Sequence, residues 1–224
     1  MKVFVLALST SNYKSVIAAL RTQDVDAVPL SVSEFKDLRD ESLIIIPGVG
    51  NISHLCEEIS CQISIADLSK LIALSRHYVI GICLGFQFMC KSSSENISSE
   101  CLDLFPFNVS RINKFQELPS VGWKKIEKCL PLGNNLRLKS PQWGNILQSS
   151  YFYFTHSYAV LDIYSTNDCE VFKYMIGQQS VTASILLGRY IGFQFHPEKS
   201  GHSGLLLLKA VVDSIEADFL RSND

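Results

Sequence analysis

Short runs of apolar residues alternate along this chain with segments whose apolar residues recur at helical spacing. Residues 2–8 predict a strand and residues 12–22 a helix, which together would form a βα unit. The same pattern predicts further strands at residues 25–30, 43–46, 78–82, 181–186 and 190–195, and further helices at residues 65–75 and 201–219. Most of the strand runs are continuously apolar, which is typical of strands covered on both faces. The pattern therefore predicts an α/β fold with a mostly parallel central sheet, helices on both faces and a site at the carboxyl ends of the strands.

Two segments depart from this alternation. Residues 91–99 are rich in Ser and predict an exposed loop after a helix, and residues 130–148 are rich in Pro, Gly, Asn and Ser. The second segment, with the aromatic run that follows it, predicts a loop-rich insertion and antiparallel strands. No internal repeat or linker is visible, and 224 residues suit one substantial α/β domain. We expect one domain spanning residues 1–224.

The charge and cysteine content exclude several classes of protein. The formal net charge is -2 and no segment gathers Lys and Arg, so we expect small-molecule substrates and neither nucleic acid nor an anionic membrane as partners. No apolar run approaches the roughly 20 residues that span a bilayer. Seven cysteines without a CxxC pair, and no signal peptide, predict a cytoplasmic protein. The histidines lack the ligand spacing of a zinc cluster, so we expect no metal.

A candidate nucleophile stands in Gly81-Ile82-Cys83-Leu84-Gly85, where a predicted strand ends and a helix begins. This spacing is typical of a nucleophile elbow with sulfur in place of oxygen. The two glycines are expected to avoid collisions with neighbouring backbone in the sharp turn. The helix N-terminus would favour the thiolate of Cys83, which is the form that attacks.

Only one of the five histidines, His196, has an acidic residue placed to orient it. Extended backbone would carry Glu198 to the same side of the chain two residues later, and Pro197 stiffens the link between them. By contrast, His77 is expected at the surface or at a strand edge. Cys83, His196 and Glu198 therefore form a candidate catalytic triad that folding would assemble.

The motif Gly81-Ile82-Cys83-Leu84-Gly85-Phe86-Gln87 together with His196-Pro197-Glu198 resembles the class I (triad) glutamine amidotransferases. Within that family the resemblance is closest to the glutaminase subunits of imidazole glycerol phosphate synthases and spans nearly the whole chain. It is also carried by residues 47–50, 118–123, 151–158 and 196–200.

This resemblance implies that Cys83 attacks the side-chain amide of L-glutamine and forms a glutamyl thioester and ammonia, without a cofactor. His196 would transfer protons and Glu198 would orient it. The oxyanion hole would be formed by the backbone of Val49, Gly50 and Leu84. The resemblance assigns substrate contacts to Gln87, Glu95, Ser157 and Tyr158.

The resemblance also implies a partner that consumes the ammonia, with Trp123 and Lys124 at the interface. Family members usually carry Asn where this chain has Lys124 and commonly His where it has Ser120, and both positions are expected on the partner face. The partner would be a (βα)8-barrel cyclase of histidine biosynthesis. The alternative is a sugar amidotransferase that makes an acetamidino sugar for surface polysaccharide. We further hypothesise that glutamine hydrolysis stays slow until a partner binds and the Val49-Gly50 peptide turns its N–H into the oxyanion hole.

Two other classes of function stay open. A different Cys-His-Glu hydrolase could share this fold and act on peptides or γ-glutamyl chains, but it would not need the segment around Trp123. The third hypothesis is a catalytically silent interaction subunit. Such a subunit is expected to lack one of the three triad residues, whereas this chain has all of them. We rank the glutaminase subunit first.

Overall fold

The structure is a computed structural model that describes residues 1–39, 41–96, 99–112, 117–128, 143–163 and 169–222. The strands of the described residues are β1 (Lys2–Leu6), β2 (Ala27–Leu30), β3 (Ser42–Gly48), β4 (Tyr78–Cys83), β5 (Cys90–Ser93), β6 (Phe105–Arg111), β7 (Ser120–Lys125), β8 (Glu127–Lys128), β9 (Tyr151–His156), β10 (Tyr158–Val160), β11 (Glu170–Ile176), β12 (Gln179–Leu187) and β13 (Tyr190–Phe193). The α-helices are α1 (Tyr13–Arg21), α2 (Ile52–Ser60), α3 (Ile65–Leu74), α4 (Leu84–Met89), α5 (Trp143–Ser149) and α6 (Gly201–Ser222). Short 3-10 helices cover Val32–Asp37 and Pro197–Lys199.

An eight-stranded central sheet organises the molecule, in the order β2-β1-β3-β4-β13-β12-β11-β8. The strands from β2 to β13 pair in parallel, and β12, β11 and β8 extend the sheet in antiparallel pairing. Two smaller sheets, β10-β6-β5 and β7-β9, complete the strand arrangement. The predicted α/β class with a mostly parallel central sheet is confirmed.

Alternate side chains of the central strands enter two hydrophobic cores, one on each face of the sheet. In β1, Val3 and Val5 pack in one core and Leu6 in the other, with the partly buried Phe4 against it. Helices α1, α5 and α6 cover the first core, whereas α2, α3 and α4 cover the second. The strands read as continuous apolar runs because both of their faces are covered.

The predicted strands and helices are confirmed with bounds that differ by at most three residues at either end, but three other expectations are wrong. Residues 91–99 begin with strand β5 rather than with a loop, because Cys90–Ser93 pairs with β6. The segment predicted as loop-rich ends in helix α5, and its residues 130–142 lie outside the described residues. His77 is buried against Phe35 with ring centroids 6.0 Å apart, and burial lowers its pKa.

Helix α2 and strand β11 are among the elements that were not predicted. Within the described residues, no helix is both long enough and apolar enough to cross a membrane.

Candidate active site

The candidate nucleophile and base lie at the carboxyl ends of two neighbouring parallel strands. Cys83 is the last residue of β4, and His196 follows β13 by three residues. The register pairs Ile82 with Phe193, so the ends of β4 and β13 reach the same level at one edge of the sheet. Strand order therefore brings together residues that are far apart in the sequence.

The turn from β4 into α4 has the strained geometry of an elbow. Cys83 has φ 54° and ψ -107°, in the left-handed half of backbone space that a non-glycine residue rarely enters. A Cβ at Gly81 would lie 2.6 Å from the backbone nitrogen of Phe86, and one at Gly85 would lie 1.8 Å from the carbonyl oxygen of Ile46. The steric role predicted for both glycines is confirmed, because each stands where backbone meets backbone.

The imidazole of His196 lies between a sulfur and a carboxylate. Its Nδ1 is 2.7 Å from Oε1 of Glu198, and both side chains are buried. Burial alone would lower the pKa of His196, but hydrogen bonds to Cys83 and Glu198 outweigh it and raise the pKa to about 10. Glu198 reaches the ring from the 3-10 helix Pro197–Lys199 and not along extended backbone, so that part of the prediction is wrong. The chemistry available is proton transfer between a thiol and a carboxylate-oriented imidazole.

A third residue holds the carboxylate of Glu198. Nδ2 of Asn12, just before α1, donates to Oε1 of Glu198 over 2.7 Å. That oxygen therefore accepts from both Asn12 and His196. Sequence reasoning missed Asn12, which read as the first residue of a helix.

These groups open onto a cavity of about 360 Å³. Nine of the predicted site residues line it, namely Val49, Gly50, Cys83, Leu84, Gln87, Glu95, Ser157, Tyr158 and His196. The other lining residues are Pro119, Thr155, His156 and Lys199. Glu198 stands behind His196, and the two predicted interface residues also lie outside the lining.

The predicted oxyanion-hole residues lie directly beside the nucleophile. Gly48 pairs with Cys83 at the ends of β3 and β4, and a Cβ at Gly48 would lie 2.7 Å from the backbone nitrogen of Gly85. This close approach brings the loop after β3 against the first turn of α4. Gly50 in that loop has φ 90°, and a Cβ there would meet no atom within 4 Å. Gly50 therefore has open space around its Cβ position and a backbone conformation suited to glycine.

Two of the predicted substrate-binding side chains already have protein partners. Nε2 of Gln87 donates to the carbonyl oxygen of Tyr158 over 2.7 Å and to Oε1 of Gln194 over 3.1 Å. The carboxylate of Glu95 accepts from the backbone nitrogen of Ile52, at the start of α2, over 3.2 Å. Burial raises the pKa of Glu95, which is half-buried rather than exposed as its Ser-rich surroundings suggest. Gln194 was missed by sequence reasoning.

His156 belongs to a buried polar chain behind the cavity. Its Nδ1 lies 2.9 Å from the carbonyl oxygen of Tyr158 and its Nε2 lies 2.7 Å from the hydroxyl of Tyr174. Burial lowers the pKa of His156 to about 4, so its ring is neutral, with Nδ1 donating to the carbonyl and Nε2 accepting from Tyr174. Tyr174 is also hydrogen-bonded to Ser120. Ser120 is therefore buried in this chain and not on an exposed partner face, which corrects the prediction.

The two predicted interface residues lie on opposite faces of β7. Trp123 is 53% exposed and packs against Tyr153 of β9 with ring centroids 6.1 Å apart. Val121 and Tyr151, at 52% and 57% exposure, share its outward face. Lys124 is half-buried on the other side because side chains alternate along a strand. Val121, Trp123 and Tyr151 thus form an exposed apolar surface. Of the two predicted interface residues, Trp123 belongs to it and Lys124 does not.

The described residues contain no group of three or more His, Cys, Asp and Glu side chains that could hold a metal ion.

Comparison with known proteins relates both sequence and fold to one family. The family described as "Glutamine amidotransferase class-I" matches residues 6–209. The imidazole glycerol phosphate synthase subunit HisH of Carboxydothermus hydrogenoformans is 32% identical over 198 residues, covering 88% of this chain and 92% of its own. The subunit of the same name from Bacteroides fragilis (strain YCH46) is 31% identical over 217 residues, covering 95% of this chain and all of its own.

Solved structures agree on the fold. A crystal structure described as a glutamine amidotransferase has a TM-score of 0.68 and 15% identity, covering 94% of this chain and 99% of its own. The structure of PurLQS from Thermotoga maritima has a TM-score of 0.62 and 18% identity, covering 96% of this chain and all of that chain. At these identities the likeness is one of fold.

Proposed function

Because the chain belongs to the class I glutamine amidotransferase family, we propose that it is the glutaminase subunit of an imidazole glycerol phosphate synthase. It hydrolyses L-glutamine to glutamate and ammonia and delivers the ammonia to a partner. The observation that carries this proposal is the hydrogen-bonded line of Cys83, His196 and Glu198 at the edge of a cavity of about 360 Å³.

The first half of the reaction forms a thioester. The Cys83 thiolate attacks the side-chain amide carbon of glutamine, and the electron pair of the C=O double bond moves to oxygen. His196, whose raised pKa keeps it protonated at neutral pH, gives its proton to the amide nitrogen. The C–N bond then breaks and ammonia leaves. Glu198 holds the ring through Nδ1, so Nε2 faces the reacting atoms.

Water completes the cycle. His196, now neutral, takes a proton from a water molecule that attacks the thioester carbon. The C–S bond breaks, glutamate leaves, and the thiolate and imidazolium are restored. One histidine thus serves as acid and then as base from the same position.

Backbone N–H groups beside Cys83 stabilise the charge that develops on the amide oxygen. Leu84 at the first turn of α4 and the Val49-Gly50 peptide across the cavity are the proposed donors, each worth about 3 kcal/mol when it is aligned with the oxyanion. The positive φ of Gly50 supports a partner-dependent peptide rotation, because glycine reaches backbone conformations that other residues rarely adopt. Glutamine hydrolysis would then respond to the partner.

The substrate is held by the opposite wall of the cavity. Oε1 of Gln87 remains for the polar groups of glutamine after its nitrogen has bonded to Tyr158 and Gln194. The backbone of Ser157 and Tyr158 lines the same cavity and is the proposed contact for the substrate carboxylate. Glu95, which also lines the cavity, would meet the α-amino group.

We propose that the partner is a (βα)8-barrel cyclase that uses the ammonia to form imidazole glycerol phosphate. Two observations support this choice: the relatives carry the name of a synthase subunit, and Val121, Trp123 and Tyr151 form an exposed apolar surface. Trp123 also approaches Gly201, close to the segment that carries His196 and Glu198. A partner on this surface would sit next to the site that releases ammonia.

The test is glutamate release from L-glutamine by the purified chain, alone and with the cyclase plus its nucleotide ligand. Cys83→Ala is expected to abolish release, whereas Cys61→Ala, which changes an exposed free cysteine, leaves it intact. Release that rises at least tenfold with the cyclase supports both activity and partner. Release that is indifferent to the cyclase would favour the sugar amidotransferase instead, and no release under any condition would overturn the glutaminase.

A further inference from the structure

Gln194 occupies a position between the nucleophile and the wall of the cavity that would bind glutamine. It follows β13, and its side chain is fully buried. Its Nε2 lies 3.8 Å from Sγ of Cys83, within hydrogen-bonding distance for sulfur. Its Oε1 accepts from Nε2 of Gln87 over 3.1 Å. The side chain therefore contacts a reacting atom at one end and a proposed substrate-binding residue at the other.

The orientation of both amides follows from one group that can only accept hydrogen bonds. The carbonyl oxygen of Tyr158 receives Nε2 of Gln87 over 2.7 Å and Nδ1 of His156 over 2.9 Å. Gln87 must therefore turn its nitrogen toward Tyr158, and the second hydrogen of that nitrogen points at Gln194. Gln194 accepts this hydrogen bond with its oxygen, so its nitrogen faces Cys83. The reversed amide of Gln194 would set two N–H groups against each other at Gln87.

We propose that Gln194 donates a hydrogen bond to Sγ of Cys83 and holds the sulfur for attack, with its orientation set by Tyr158 through Gln87. The inference rests on the proposed glutaminase function and adds a residue to its machinery. An N–H donor stabilises a thiolate more than a thiol, and a fixed contact in addition to those with His196 and the carbonyl oxygen of Thr155 restricts the rotation of the Cys83 side chain. Ser157 and Tyr158 form the proposed contact for the substrate carboxylate. A shift of the Tyr158 backbone on substrate binding would therefore be transmitted to the sulfur through Gln87 and Gln194.

The decisive variant is Gln194→Met, which keeps the length of the side chain and removes its donor. The matched control is Gln148→Met, the same chemical change on α5, where the amide nitrogen donates to the carbonyl oxygen of Gly144 in its own helix. Alkylation by iodoacetamide is followed at each cysteine by peptide mass spectrometry across a range of pH. The exposed Cys61 serves as an internal reference in every sample.

In Gln194→Met, alkylation of Cys83 at pH 7 is expected to fall about three- to tenfold, because fewer sulfurs are charged while each thiolate is a somewhat better nucleophile. The pH dependence of alkylation moves upward, and Cys61 and the Gln148→Met protein do not change. In the complex with the cyclase, kcat falls about tenfold while KM for glutamine changes less than about threefold.

The inference is overturned if the folded Gln194→Met protein has a lower melting temperature but its Cys83 is alkylated at the wild-type rate. Gln194 would then have only a packing role. If Gln194→Met does not fold, Gln194→Asn takes its place, since it keeps an amide that is one methylene too short to reach both Gln87 and Cys83. The same fall in Cys83 alkylation supports the proposal and an unchanged rate overturns it. Absence of glutaminase in the wild-type complex would refute the proposed function without altering the alkylation comparison, so the two failures are separable.

Discussion

Replacing Gly85 by Ala would place one methyl group at the tightest contact of the elbow. The added Cβ would lie 1.8 Å from the carbonyl oxygen of Ile46 and 2.8 Å from its carbonyl carbon, whereas real Cβ atoms keep at least 3.0 Å. Both opposing atoms are backbone, so no side-chain rotation relieves the overlap. The start of α4 and the end of β3 must separate by about 1 Å, a shift that a close-packed interior resists.

Two magnitudes follow from that separation. Overpacking of a well-packed interior costs about 1 to 3 kcal/mol, and the upper end applies here because two backbone segments must move together. Cys83 is the residue before α4 and moves with it relative to His196 and the cavity. A displacement of about 1 Å in a reacting group lowers activity about 100-fold. Gly85→Ala is therefore expected to lose about 3 kcal/mol of unfolding free energy and most of its glutaminase activity.

Urea denaturation and glutamate release by the cyclase complex measure the two effects. Gly188→Ala is the control for the contact itself, because its Cβ would meet nothing within 4 Å, although its φ of 59°, unlike the φ of Gly85, is unusual for alanine. That control should lose only about 1 kcal/mol and keep full activity. If Gly85→Ala is as stable as wild type, the packing argument is wrong. If it is destabilised but fully active, the elbow does not set the position of the nucleophile.

Three further predictions test other parts of the site. Asn12→Ala removes a donor to the buried carboxylate of Glu198 and should cost about 1 to 2 kcal/mol in urea denaturation and about tenfold in kcat of the complex; an unchanged kcat would show that the carboxylate is held without it. Gly50→Ala meets no atom but must adopt φ 90°, so it should lose about 1 kcal/mol of stability and at least tenfold in kcat with KM unchanged; wild-type kcat would exclude this peptide from the oxyanion hole. Between pH 7 and pH 4, the free energy of unfolding of the wild type should fall by about 3 kcal/mol more than that of His156→Gln, as measured by urea denaturation. The reason is that the unfolded chain protonates His156 near its ordinary pKa of 6.5, whereas the folded protein does so only near 4. If the two proteins lose the same free energy of unfolding over this pH range, folding does not lower the pKa of His156.

The order of strands and helices was predictable where continuous apolar runs alternate with helical periodicity. Helix α2 was missed although its sequence carries a signal, since Ile52, Leu55, Cys56 and Ile59 recur at helical spacing and are buried. Its nine residues follow the Val49-Gly50 turn closely, with only Asn51 between them. The helical spacing of these apolar positions is sufficient to predict it.

Strand β11 could not be read in the same way. Its residues include Glu170 and Lys173, both buried, and these charges interrupt what would otherwise be an apolar run. Lys173 is held by the carbonyl oxygen of Ile163, and the strand pairs with β12 along its length. Only the tertiary partners make these charged positions compatible with a buried strand.

Residues within the motifs around Cys83 and His196 could be singled out because each motif combines a reactive side chain with a local geometric requirement. Asn12 offers no such local signal, and its partner Glu198 lies 186 positions away. Gln194 carried a weak one, as a polar residue between two phenylalanines in a buried run. A lone buried polar side chain needs hydrogen-bond partners, but the sequence does not say that they are Gln87 and Cys83.

Strand pairing decides whether the two motifs meet at all. Nothing local indicates that the strand ending at Cys83 lies beside the strand of residues 190–193, because the chain between them builds both smaller sheets and the antiparallel edge. The pairing of Ile82 with Phe193 sets the ends of the two strands at one level, so that Cys83 and His196 follow from the same edge of the sheet, and a slip by one residue would turn every side chain of the strand to the opposite face. Gly192 fixes that register physically, since a Cβ there would lie 2.1 Å from the ring of Phe86 in α4. The same aromatic ring thus packs the helix that begins after the nucleophile against the strand that leads to the base.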